Sequence, residues 1–135
     1  GIIILIVLVI IQSVLLTYSF RKSNKINDNI EDTIVKGLYD VVRFMSLDYN
    51  DDFTNELYKK SKISIRIASE NARIVSDSNI IRNAIFIIDN YIYNLADMNG
   101  DIKGTVDIKL YNLLIDFSSD IKSEEKAQKI IDYLR

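Results

Sequence analysis

From Ile2 to Phe20 the chain runs for 19 residues without a charge, IIILIVLVIIQSVLLTYSF. As a helix rising about 1.5 Å per residue, such a run spans roughly the 30 Å hydrocarbon core of a bilayer. A helix that is apolar on every side needs either lipid around it or a large protein core, and the chain that follows is too short to wrap it. The run therefore predicts a transmembrane or anchoring helix over residues 1–22. The same composition could serve as the core of a signal peptide, or as a helix packed inside a filament or an oligomer.

The departures from hydrocarbon within this run are Gln12, Ser13, Thr17 and Ser19. Gln12 and Ser19 lie seven apart and Ser13 and Thr17 four apart, so the four fall in one broad sector of a helix. Small and amide side chains in that sector can hydrogen-bond to another helix, which makes them a candidate contact face. Alternatively, the hydroxyls bond back to their own carbonyls and face no partner.

The chain contains neither histidine nor cysteine. Those absences remove the commonest general base, the Ser-His and Cys-His pairs, nearly every structural zinc arrangement and any disulfide framework. A non-enzymatic function is expected.

Charge is uneven. Arg21, Lys22 and Lys25 follow the apolar run directly, and setting those three aside leaves 14 basic against 19 acidic residues, a net of −5 over residues 26–135. A mildly acidic domain is a poor nucleic-acid binder, so no nucleic-acid partner is expected. The basic trio favours a cytoplasmic bundle by the positive-inside rule, although opposing charges upstream of Gly1 would reverse that, and the side is left open.

Proline is absent and the glycines are Gly1, Gly37, Gly100 and Gly104, so long helices are the default. Ile26, Ile30, Ile34, Leu38, Val41, Val42 and Met45 keep a three-and-four spacing that predicts an amphipathic helix, at a cost of about 1 kcal/mol for Gly37 relative to alanine. Nothing in RKSNK enforces a break from the apolar helix before it. After a turn at DYNDD, residues 48–52, a helix from about Asp52 is expected to turn Phe53, Leu57 and Ala68 inward. Its middle is ambiguous: Ile63, Ile65 and Ile67 alternate as in a strand, yet Ile67 with Ile74, and Ala68 with Ala72 and Val75, fit helical faces. A lone strand would have no partner to pair with, so a helix is expected.

Asp77 or Ser78 is placed to cap a third amphipathic helix bearing Ile81, Ala84, Ile85, Ile88, Ile92 and Leu95. It ends at DMNGDIKG, residues 97–104. Val106, Leu110, Leu113, Leu114, Phe117 and Ile121 predict a fourth, and Ser123 with Glu124 and Glu125 opens a fifth carrying Ile130, Ile131 and Leu134. The short loop between the third and fourth is expected to pair them antiparallel, with Ile85 and Ile88 meeting Leu110, Leu114 and Phe117.

Asp48, Asn50 and Asp52, and again Asp97, Asn99 and Asp101, match the first three ligand positions of an EF-hand loop. The second set also resembles the opening of a dockerin-type half-site. An EF-hand loop has glycine at its sixth position and a bidentate acid at its twelfth. Here those are Phe53 and Lys59 in the first loop and Ile102 and Ile108 in the second. The first is therefore expected to be a turn only, and a weak calcium site is confined to Asp97, Asn99, Asp101 and a displaced Asp107. No other cofactor is expected.

Gly1, the apolar run and the amphipathic helix after it together resemble the amino-terminal helix of type IV pilin-like proteins, which packs into a filament core. The acid of that family, five residues after the glycine, is replaced by Ile6.

The expected fold class is all-α: an N-terminal transmembrane helix over residues 1–22, then an antiparallel bundle of four to five amphipathic helices over residues 23–135. Its expected function is a single-pass membrane-anchored module for protein interaction or sensing, comparable in plan to the helical ectodomains of bacterial receptors. The expected partners are the lipid bilayer and a protein partner or a second copy of the chain. The alternative is a structural subunit of a filament or membrane complex.

Overall fold

The computed structural model describes residues 1–46, 52–102 and 106–135, with the backbone alone for residues 23–28, 30, 52 and 75. The chain is all-helical, with five α-helices among those residues: α1 (Ile2–Met45), α2 (Asp52–Val75), α3 (Asn79–Tyr93), α4 (Ile108–Ser118) and α5 (Glu124–Leu134). The expected turn at residues 48–51 and the core positions expected of Ile26 and Ile30 lie outside this description.

The apolar run and the first amphipathic helix are one helix. α1 continues through RKSNK for 44 residues, a length of about 66 Å. Thr33 donates its hydroxyl to the Asn29 carbonyl at 2.9 Å, a bond within the helix that leaves its backbone ladder intact. The two halves of α1 differ in surroundings. Residues 2–22 are all exposed, whereas Ile34, Leu38, Val41, Phe44 and Met45 are buried in the core.

α2 resolves the alternation at Ile63–Ile67 by helical geometry. Positions two apart on a helix point in nearly opposite directions, so Ile65 is fully buried while Ile63 is 64 % and Ile67 43 % exposed. The inward stripe is Thr54, Leu57, Tyr58, Ser61, Ile65, Ala68 and Ala72, mostly small residues. Phe53, expected inside, is 48 % exposed, because it lies one position off that stripe.

Small residues on α2 allow α1 to come close. A Cβ built on Gly37 would lie 2.7 Å from the Ala68 Cβ and 2.7 Å from the Ser64 carbonyl oxygen. Gly37 is thus where the two helices touch backbone to backbone, and this contact makes α1 and α2 the most extensive pair in the bundle.

α3, α4 and α5 each begin at a side-chain cap. Ser78, Asp107 and Ser123 accept from the amides of Ile81, Leu110 and Lys126 at 3.3, 3.0 and 3.2 Å. The main packing contacts close a ring: α1 on α2, α2 on α3, α3 on α5, α5 on α4 and α4 back on α1. Ile85, Ile88, Ile92, Leu114, Phe117 and Ile130 fill its centre.

The expected α3–α4 hairpin is not a main contact of that ring. α3 stops at Tyr93 and α4 starts at Ile108, so the connection is longer than a tight hairpin turn and lets α4 pack on α1. The turn from Ser119 to Ser123 is the short one, so α4 and α5 are the neighbours in both sequence and space.

Candidate functional site

The sector at Gln12, Ser13, Thr17 and Ser19 lies on the bare half of α1, and all four side chains are exposed. Ser13 donates to the Val9 carbonyl at 2.8 Å and Thr17 to the Ser13 carbonyl at 2.9 Å. The hydroxyls of Ser13 and Thr17 are therefore spent within the helix. Gln12 and Ser19 have no partner among the described residues.

The loop acids form a turn. Asp97 accepts the amides of Asn99 and Asp101 on one carboxylate oxygen, both at 2.9 Å, and its carbonyl accepts the Gly100 amide at 3.0 Å. Gly100 sits at φ +84°, where a side chain would be strained. Ala96 and Ile102 pair across the base of the turn. Asp107 is committed elsewhere: besides capping α4, its carboxylate accepts the Tyr133 hydroxyl at 2.6 and 2.8 Å. Among the described residues no three acids gather into a group that could hold a metal ion, so the four residues expected around calcium do not form one set of ligands.

Burial pushes the Asp107 carboxyl up, but the Tyr133 hydroxyl, the amides of Leu110 and Lys109 and the Lys109 charge outweigh it and hold it below the ordinary carboxylate range. The same bond to Asp107 raises the Tyr133 hydroxyl. Lys109 completes the group with its ammonium 5.0 Å from the Tyr133 ring centre.

Two further acids are buried. Asp40 on α1 accepts the Ser64 hydroxyl of α2 at 2.6 Å, with the Lys60 ammonium 4.0 Å away. Asp89 on α3 pairs with Arg66 of α2 at 2.9 Å. Burial raises the Asp89 carboxyl, and the Arg66 guanidinium opposes that shift without cancelling it. Both pairs lie between helices and orient them against one another.

A cleft of about 650 Å³ opens at the end of the bundle remote from the apolar half of α1. One wall is the start of α2, with Asn55, Lys59 and Lys62. The other is the loop after α3, with Asn94, Asn99 and Asp101. Tyr58 forms the floor: it is buried, and its hydroxyl donates to the Ile92 carbonyl at 2.6 Å. Burial raises that hydroxyl. The Lys62 ammonium stands 5.4 Å from the Tyr58 ring centre and 5.0 Å from that of Tyr93, and the Arg66 guanidinium is 5.9 Å from Tyr93.

Sequence reasoning reached the loop acids of this cleft and missed its basic, aromatic wall. Tyr58, Lys62 and Arg66 follow one another at four-residue intervals, which places them on one helical face and was a usable signal. Their meeting with Tyr93 depends on how α2 packs on α3.

Comparison with family models, with characterised proteins and with solved structures finds no match. The class defined by the fold is an all-α protein in which one apolar helix among the described residues, long enough to cross a membrane, continues into a helical bundle.

Proposed function

We propose that this chain is a non-enzymatic, single-pass membrane-anchored helical module for protein interaction or sensing. The observation that supports it is α1, one helix whose bare apolar half leads without a break into the bundle core. A rigid element shared by the anchor and the core lets a change at the bundle move the membrane segment, and the reverse. Bilayer lipid is the partner of residues 2–22, and Gln12 and Ser19 offer polar contacts to a neighbouring helix there. The reading needs no cofactor, and the acidic balance of residues 26–135 argues against nucleic acid as a partner.

The test is fractionation of the full chain against a chain lacking residues 1–22. The full chain should sediment with membranes and leave them only in detergent, and the truncated chain should stay in the supernatant with its helical circular-dichroism spectrum. Recovery of the full chain as a monomer in buffer without detergent would overturn the proposal. The layout of a bare apolar rod on a folded head also suits a subunit of a pilin-like filament or membrane complex. Fibres or a large assembly formed through residues 2–22 would favour that second reading.

A further inference from the structure

We infer that the cleft remote from the apolar helix is a binding site for a small zwitterion, a molecule of amino-acid size carrying one carboxylate and one ammonium group. The inference rests on the reading of the chain as a sensing module and gives that module its ligand class. Three features of the cleft carry it.

The first is unspent charge. Lys59 and Lys62 have no carboxylate within ion-pair distance among the described residues. Lys62 faces only the two tyrosine rings, which hold its position without neutralising it. On the opposite wall, the Asp101 carboxylate is likewise unbonded among the described residues, while its neighbour Asp97 is committed to the turn. The signs are separated, cations on the helix and an anion on the loop, so a ligand of one sign would meet repulsion from one wall. A zwitterion satisfies both through charge-assisted hydrogen bonds.

The second is hydrogen-bonding capacity. The side-chain amides of Asn55, Asn94 and Asn99 line the same space and have no partner in the chain among the described residues. Each both donates and accepts, which suits the polar part of a small ligand.

The third is size and construction. A volume of about 650 Å³ falls within the range of small-molecule sites. Its walls are α2 and a turn fixed by the Asp97 carboxylate and the left-handed Gly100, so the backbone that carries the charges is held at set positions.

The experiment uses the full chain in lipid nanodiscs, titrated by calorimetry with the standard set of free α-amino acids. Each that binds is repeated as its N-acetyl form, without the ammonium, and as its carboxamide, without the carboxylate. At least one amino acid should bind saturably with a Kd below about 1 mM, and each analogue should bind at least about tenfold more weakly. Lys59→Gln, which touches neither ring, and Lys62→Gln should each weaken the amino acid toward its carboxamide. Asp101→Asn should weaken it toward the N-acetyl form. Absence of binding across the set, or binding indifferent to both charges and to all three substitutions, would overturn the inference. A chain that fails to enter the discs counts against the membrane anchor. A chain that enters them with a helical spectrum and binds nothing counts against the cleft alone.

Discussion

Gly37 illustrates how one residue changes meaning with its surroundings. In an isolated helix alanine would be better by about 1 kcal/mol. In the folded chain a Cβ there meets the Ala68 Cβ and the Ser64 carbonyl at 2.7 Å, closer than such atoms approach without displacement. Gly37→Ala should therefore destabilise the bundle by about 1–3 kcal/mol, read as a lower midpoint in chemical denaturation. An unchanged or raised midpoint would show that α1 and α2 separate at no cost. The Asp107–Tyr133 pair makes a second prediction, with a sign set by pH. Because the folded carboxyl lies below its unfolded value, its contribution is present above the unfolded value and fades as pH falls through the folded one. Tyr133→Phe should lower the denaturation midpoint near neutral pH, and the difference from the unsubstituted chain should shrink in acid. Asp89 has the opposite sign. Its raised carboxyl favours the folded state below the ordinary carboxylate range, and that contribution is lost as pH rises through the folded value.

At the scale of elements, the bundle is held by stripes that the periodicity of the chain made readable. Ile81, Ala84, Ile85, Ile88 and Ile92 of α3, and Leu110, Leu114 and Phe117 of α4, are all buried as their spacing requires. Truncating Ile88 or Leu114 to alanine should cost about 2–5 kcal/mol, measured by thermal or urea unfolding of the bundle. Both side chains belong to the one buried core at the centre of the ring, so the cost of the double variant should depart from the sum of the two single costs. A double variant whose cost equals that sum would show that the two sites share no packing partners. Ile88→Val, which removes one methylene, should cost less, about 0.5–1.5 kcal/mol.

For the whole molecule, the decisive property is the contrast along α1. Residues 2–22 expose an apolar surface long enough to cross a membrane, and the acidic balance lies in the bundle beyond it. Removing residues 1–22 should convert a detergent-requiring chain into a soluble one with little change in bundle stability, since those residues contribute nothing to the core. A truncated chain that unfolds or aggregates at neutral pH would show that α1 depends on its apolar half to stay helical.

The sequence by itself determined the all-α class, the apolar helix and the cap at Ser123, and left open whether that helix runs on into the next and whether Asp77 or Ser78 caps α3. It also determined most of the inward stripes. These follow from local terms: a three-and-four spacing, a cap residue before it, and the absence of proline through α1 are properties of neighbours along the chain. Only the tertiary structure decided that α3 turns to α5, that Gly37 is a contact point, and that Phe53 faces outward while Phe44 and Tyr58 are buried. It alone drew Asp107 away from the loop acids to Tyr133, and brought Lys62 to Tyr93 beside an open cleft. Each of these joins residues distant in sequence. Their meeting is set by which helix faces interlock and how far a connection reaches, and neither is encoded in any short window of the chain.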